Sequence, residues 1–245
     1  MNNNIRLQDP DLNLSFLNNN QDILNSNYCS IDSFQNLKRK FSNHGLSVIC
    51  FNIRSFNKNG DEFISYLMSC NHDFDIIILT ETWANNDTHT MCHIPGYIPT
   101  HNLRKNQRGG GVSIFVKESL NFNVIETINI SNDFIETTAI TIKCDNTGQK
   151  INVLGIYRPP RGDANLFIES LTNIISQHNL GNNESVIAGD FNICLLNEHT
   201  SAISNNFLNM MNGFFSVLLS QGPRDSEIIL PQSLITFGPI LYMRS

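Results

Sequence analysis

The sequence lacks several features that would place it in a common class of protein. No apolar run approaches the roughly 20 residues that a membrane-spanning helix needs, so we expect no membrane segment. The start, MNNNIRLQDP, has no apolar stretch followed by small residues, as a signal peptide would, which predicts an intracellular protein. The six cysteines include no C-x-x-C pair, so no disulfide framework is indicated.

Charged residues are also scarce, at 16% of the 245 residues, and the net charge is −6. This balance excludes a general basic surface for nucleic acid, but it is compatible with a local basic groove. His89, Cys92 and His93 stand close together, yet their spacing matches no standard zinc site, and we interpret them as polar residues of a loop. The 40% of hydrophobic residues is enough for a sizeable core.

Composition divides the chain into two regions. Residues 1–44 are rich in asparagine and poor in large apolar residues, which predicts a disordered segment. Within it, residues 32–41 have the spacing of a short helix. From residue 45 to residue 245, short apolar runs alternate with helical patterns, so this region is predicted to be the folded domain.

The apolar runs of the second region are rich in β-branched residues and almost unbroken, which is typical of strands buried on both faces. Amphipathic helical patterns lie between several of them. One such helix is predicted to begin after a cap at Asp163, and another to end at Gly213. The pattern predicts an α/β domain in which two sheets pack face to face with helices outside.

Polar residues follow four of the apolar runs directly. They are Asn52 after SVICF, Glu81 after IIILT, Tyr157 after INVLGI, and Asp190 with Asn192 after VIAG. Each one alone is explained by a turn, a helix start or a core rim. Because α/β enzymes usually build their sites where strand ends gather at one edge of a sheet, the repeated placement predicts a site.

The chemistry of these side chains is consistent with one reaction. Glu81 and Asn52 suit Mg²⁺, which prefers oxygen ligands and keeps several waters. Asp190 is suited to orient or deprotonate an attacking water, while Asn192 and Tyr157 are suited to donate hydrogen bonds to a phosphate. The set indicates metal-assisted hydrolysis of a phosphodiester.

Five motifs carry a resemblance to a known family. FNIRSF, LTETW, RGGGVSIFV, GIYRPP and AGDFN, in this order, resemble the endonuclease/exonuclease/phosphatase superfamily, and most of all the endonuclease domain of non-LTR (LINE-type) retrotransposons, over residues 46–215. The resemblance implies a four-layered α/β sandwich of two mainly antiparallel or mixed sheets flanked by helices. It also implies Mg²⁺ or Mn²⁺ as cofactor and nicking of DNA that leaves a 3′ hydroxyl.

The resemblance assigns a role to each candidate residue. Glu81 becomes the metal ligand, with Asn52 beside it at the metal and the phosphate. Tyr157 becomes a contact to the phosphate or the nucleophile. Asp190 positions the water, and Asn192 stabilises the phosphoryl oxygens.

Two basic segments are candidates for contact with the DNA backbone. Arg104, Lys105 and Arg108 adjoin the glycine run, and Arg158 and Arg161 lie in YRPPR. For the first segment, a solvated hairpin loop explains the charges equally well. By family analogy we expect DNA as the partner of a monomer, a nuclear location, and no reverse transcriptase domain in this chain, although such a domain follows the endonuclease in mobile elements.

The end of the sequence departs from the family. Members end with a Pro-Thr-Arg segment and then Leu-Ile-Asp-His, whose His acts as general base or acid. Here Thr236 stands at the Asp position and Phe237 at about the His position, and none of the seven histidines lies in that segment. We therefore expect a domain that is incomplete at its C-terminal end, with the last strand or strands missing or altered.

This departure leaves the activity open, because losing a positioned acid–base group costs about 10²- to 10⁴-fold in rate. The first hypothesis is a DNA-nicking endonuclease of retrotransposon origin. The first alternative is a catalytically inactive remnant that at most binds metal or nucleic acid. The second alternative is a phosphatase of the same superfamily, against which TETW and YRPP argue.

Overall fold

The computed structural model describes residues 46–104, 109–143, 148, 150–193, 201–214, 216–220 and 240–244. Four strands form its first sheet. They are β1 (Val48–Asn52), β2 (Ile76–Thr80), β3 (Tyr97–Asn102) and β4 (Val112–Lys117), in the spatial order β1-β2-β4-β3. β1 and β2 run parallel, whereas β4 is antiparallel to both β2 and β3. Segment 1–44, with its predicted helix at 32–41, lies outside the described residues.

The second sheet is also mixed. It contains β5 (Asn121–Val124), β6 (Ile130–Ser131), β7 (Glu136–Lys143), β8 (Lys150–Tyr157) and β9 (Ser185–Asp190). The order is β5-β7-β8-β9, and the short β6 pairs with the start of β7. β8 and β9 run parallel, as β1 and β2 do in the first sheet.

Three α-helices connect or follow the parallel strands. α1 (Phe56–Cys70) joins β1 to β2, α2 (Ala164–Gln177) joins β8 to β9, and α3 (Ala202–Phe214) comes after β9. The Asp163 carboxylate caps α2 by accepting hydrogen bonds from the N–H groups of Asn165 and Leu166, which confirms the predicted cap. α3 ends at Phe214, one residue beyond the predicted Gly213.

The layers explain why the strands are apolar on both faces. Between the sheets, side chains such as Ile78 and Ile114 pack against Ile140 and Val153. α1 covers the outer face of the first sheet, and α2 and α3 cover the outer face of the second sheet. The order helix, sheet, sheet, helix is the predicted four-layered α/β sandwich.

Two further strands follow β9. β10 (Ser216–Ser220) pairs antiparallel with β11 (Ile240–Arg244), whose backbone lies beside β9. Thr236 and Phe237 lie outside the described residues. None of the helices in the described ranges is long and apolar enough to cross a membrane.

Candidate active site

The carboxyl ends of four strands meet at one edge of the sandwich. Asn52 is the last residue of β1, and Glu81 directly follows β2, its parallel neighbour. Tyr157 and Asp190 end the other parallel pair, β8 and β9, and lie opposite each other in the register. Because both pairs are parallel, each brings two polar strand ends to the same edge of its sheet.

Hydrogen bonds join these ends across the two sheets. The Asn52 amide nitrogen donates to Glu81 Oε1 at 2.9 Å and to Asp190 Oδ2 at 2.8 Å. The Tyr157 hydroxyl donates to the same Glu81 oxygen at 3.1 Å. The backbone N–H of Asn192 donates to Asp190 Oδ1 at 3.1 Å. All five residues predicted from the strand ends therefore come together in one cluster.

Two residues of the cluster have left-handed backbone conformations. The φ angle is 53° at Glu81 and 48° at Asn192. Residues other than glycine adopt such angles infrequently, and they often do so at functional sites, where the surrounding structure holds them. The Glu81 carbonyl is held by the N–H of Ser55 at 2.7 Å, so the turn after β1 supports the turn after β2.

The side chain of Arg158 stabilises the turn at Asn192. Its side chain is buried, and its guanidinium donates to the carbonyl oxygens of Phe191, Gly162 and Asn192. In return, the Asn192 amide nitrogen donates to the Arg158 carbonyl at 2.7 Å. Arg158 was predicted to contact DNA. Its guanidinium instead faces backbone carbonyl oxygens of its own chain, because the turn after β9 covers the side chain.

Burial sets the protonation behaviour of the cluster. Desolvation raises the pKa of the Asp190 carboxyl, and the charge of Glu81 adds to this effect, while hydrogen bonds from Asn52 and Asn192 and the charge of Arg158 oppose it. Desolvation and the Glu81 carboxylate also raise the pKa of the Tyr157 hydroxyl. Tyr157 is therefore a neutral hydrogen-bond donor at neutral pH.

The remaining predicted basic residues are dispersed. Arg104 is paired with the buried Glu136, and Arg161 is exposed at the surface. Lys105 and Arg108 lie outside the described residues. Arg54 was not among the predicted residues. It is an exposed residue two positions after Asn52, and its backbone N–H donates to Asn52 Oδ1 at 3.2 Å. Its position within FNIRSF was the available signal.

Glu136 was also missed. It begins β7, its side chain is 1% exposed, and it lies opposite Tyr157 in the register. A single carboxylate at the start of a strand rich in β-branched residues, FIETTAITI, was the signal that could have indicated it.

The cluster offers donors that suit a divalent metal ion. Glu81 and Asp190 supply carboxylates, and the amide nitrogen of Asn52 lies between them, while its amide oxygen accepts from the backbone N–H of Arg54. Mg²⁺ uses one or two protein carboxylates and keeps several waters, so this set fits it. Among the described residues, no group of three or more His, Cys, Asp or Glu is placed so that it could hold a metal ion.

Comparisons with known proteins agree with this architecture. The model of the endonuclease/exonuclease/phosphatase family matches residues 49–228. No curated protein sequence is significantly similar to the chain.

Three solved structures illustrate the shared fold. The endonuclease domain of TRAS1, a telomere-specific non-LTR retrotransposon, has a TM-score of 0.58 at 10% identity over 80% of this chain and 82% of that one. AP endonuclease LMAP from Leishmania major also has a TM-score of 0.58, at 14% identity over 85% and 82%. The Xenopus laevis APE2 catalytic domain has a TM-score of 0.54, at 14% identity over 81% and 82%. At these identities the likeness concerns the fold alone.

Proposed function

Since the chain belongs to the endonuclease/exonuclease/phosphatase family, we propose that it hydrolyses phosphodiester bonds in DNA with the help of a divalent metal ion. The observation that supports this most directly is the bridging amide of Asn52, which binds one carboxylate from each half of the sandwich. It brings together the carboxylate that we propose binds the metal ion and the carboxylate that we propose orients the water.

Each residue then has a chemical task. Glu81, with Asn52 beside it, would hold Mg²⁺ or Mn²⁺, which supplies positive charge to the scissile phosphate when bound. Asp190 orients the attacking water and accepts its proton. Its buried position and raised pKa make it a better proton acceptor than an exposed aspartate. The second N–H of the Asn192 amide donates a hydrogen bond to a phosphoryl oxygen, where charge grows in the transition state. The Tyr157 hydroxyl would do the same when substrate takes the place of Glu81 as its acceptor.

More specifically, we propose a DNA-nicking endonuclease of retrotransposon origin. The order FNIRSF, LTETW, RGGGVSIFV, GIYRPP and AGDFN supports this branch. With a net charge of −6, DNA contact must come from a local group of cations. The exposed Arg54 and Arg161 are two candidates for this group. We further propose that the protein acts as a monomer, in the nucleus by family analogy.

One observation favours the alternative of a catalytically inactive remnant. Thr236 and Phe237 stand where the resemblance expects the Asp-His pair. A chain without that pair would keep the fold and the carboxylate cluster but would bind metal or nucleic acid without turnover.

The direct test is nicking of supercoiled plasmid in Mg²⁺ and in Mn²⁺. We expect the natural protein to nick, and Asp190→Ala to lower the rate by about 10²-fold or more, since it removes the proton acceptor. Asp61→Ala is the matched control, because Asp61 is exposed on α1 and takes no part in the hydrogen bonds that join Asn52, Glu81, Tyr157 and Asp190. Equal nicking by both variants would contradict the assignment of Asp190.

A second experiment separates the enzyme from the remnant. Thr236→Asp and Phe237→His are introduced together. Nicking by the double variant, but not by the natural protein, would mean a preserved scaffold without its acid–base pair. No nicking by either protein would favour the remnant, whereas nicking by the natural protein would show that the cluster works without that pair.

A further inference from the structure

The carboxylate of Glu136 is buried between two donors. Oε2 accepts a hydrogen bond from the backbone N–H of Gly111 at 2.5 Å. Oε1 accepts from Arg104, through Nε at 2.6 Å and through a terminal guanidinium nitrogen. A buried carboxylate is costly unless it is paired in this way. The two partners of Glu136, Arg104 and Gly111, lie before and after residues 105–108 in the sequence.

The glycine turn, Gly110 with Gly111, is shaped around this carboxylate. The φ angles are 68° and 89°, in the region that favours glycine. A Cβ on Gly110 would lie 2.6 Å from Glu136 Oε1, and a Cβ on Gly111 would lie 2.7 Å from the hydroxyl of Thr82. The turn therefore touches Glu136 on one side and the segment after β2 on the other.

That segment carries Glu81. The N–H of Trp83 donates to the Gly110 carbonyl at 2.9 Å, and the N–H of Thr82 donates to the Gly111 carbonyl at 3.3 Å. Trp83, like Glu81, has a left-handed backbone, with φ of 55°. The segment that bonds to the glycine turn thus contains two uncommon backbone conformations, at Glu81 and at Trp83.

We propose that Glu136 is a positioning residue for the active site. Its carboxylate fixes the glycine turn, the turn fixes the segment Glu81–Trp83, and the segment aims the Glu81 carboxylate at Asn52 and Tyr157. The inference rests on the proposed role of Glu81. It also assigns Arg104 to the fold of the site, as the counter-ion of Glu136, in place of a contact to DNA.

The test uses the full chain and a reporter that the sequence supplies. Trp83 is the one tryptophan of the protein and lies within the positioned segment, so its fluorescence reports on the segment without any assay of activity. The variant is Glu136→Gln, which keeps the size of the side chain but replaces the charged carboxylate with a neutral amide. The amide has a single oxygen, so it cannot accept from both Arg104 and Gly111 as the two carboxylate oxygens do. Glu169→Gln, on the exposed face of α2, is the matched control.

Two quantities are measured: quenching of Trp83 by acrylamide, and the affinity for Mn²⁺ by electron paramagnetic resonance. We expect Glu136→Gln to make Trp83 more accessible to acrylamide and to weaken Mn²⁺ binding by about tenfold, the low end of the effect of outer-shell changes. Glu169→Gln should match the natural protein. Far-UV circular dichroism checks that both variants are folded.

Glu136→Asp completes the design. It keeps the charge but is one methylene shorter, so we expect the same two changes in smaller size, and it replaces Glu136→Gln as the test if that variant does not fold. The proposal is overturned if, in folded variants at position 136, acrylamide quenches Trp83 as it does in the natural protein and the affinity for Mn²⁺ is also unchanged. If the natural protein binds no Mn²⁺, the proposed metal site fails, and the quenching of Trp83 alone still decides whether Glu136 holds the segment.

Discussion

At the scale of single residues, burial separates side chains that look equivalent in the sequence. Arg158 and Arg161 stand three positions apart in YRPPR, yet the first is buried and the second is exposed. The same contrast separates Arg104, which is paired with Glu136, from the exposed Arg54. The composition near a strand end thus indicates that charged residues lie there. Whether each charged side chain is buried or exposed depends on the turn around it.

We predict that Arg158→Met destabilises the protein on the order of 3 kcal/mol, because three carbonyl oxygens lose a charged donor. Arg161→Met should change the free energy of unfolding by less than about 0.5 kcal/mol, as is usual at the surface. Urea denaturation of the two variants measures both values. Similar losses in the two variants would mean that Arg158 does not hold the turn after β9.

His101 should make the stability depend on pH. Burial, and secondly the charge of His89, lowers the pKa of His101 from 6.5 to about 4. Between these values the unfolded chain binds the proton and the folded chain does not, so stability present above pH 6.5 is lost as the pH falls toward 4. The His101 ring also bonds to the Ser113 hydroxyl at 2.7 Å.

The matching variant is His101→Gln, which keeps a hydrogen-bonding group beside Ser113 but does not titrate. We expect it to lose less stability than the natural protein when urea denaturation is repeated at pH 7 and at pH 5. An equal loss in both proteins would assign the acid sensitivity to other groups.

At the scale of elements, the parallel pairs β1–β2 and β8–β9 decide where polar residues collect. A parallel pair needs a long crossover, here a helix, and both strands then end at the same edge. The sequence predicted helical patterns between several strands, but it did not predict which strands pair in parallel. The pairing of β2 with β4 and of β7 with β8 was not readable, because neighbouring antiparallel strands with two buried faces have similar compositions.

Removal of the cap of α2 tests one such crossover. We predict that Asp163→Ala lowers the free energy of unfolding by about 1 kcal/mol, since the N–H groups of Asn165 and Leu166 lose their acceptor. Asp163→Asn should be nearly neutral, because asparagine caps helices as well as aspartate does. Thermal unfolding followed by circular dichroism compares the two, and equal losses would contradict a role for the cap.

At the scale of the whole molecule, the packing of two sheets builds the site. Asn52 comes from the first sheet and Asp190 from the second, and they meet because the face-to-face packing of the sheets aligns two edges. The three apolar clusters that hold the layers draw on residues 46 to 214. From the change of composition in the sequence, we propose that the domain begins at residue 45.

A chain that starts at residue 45 tests this boundary. We expect it to unfold cooperatively with the same thermal midpoint as the full chain, because every residue of the three clusters is retained. Loss of the cooperative transition would mean that segment 1–44 contributes to the core.

The sequence by itself determined the layered α/β class, the cap at Asp163, and the strand ends that carry Asn52, Glu81, Tyr157 and Asp190. These follow from local patterns, since apolar periodicity and turn residues act over a few positions. Only the tertiary structure decided that the Asn52 amide bridges two carboxylates, that Arg158 faces inward, and that the Glu136 carboxylate binds the glycine turn. Those contacts join residues 25 to 138 positions apart, and their geometry depends on how the sheets pack and how the turns close.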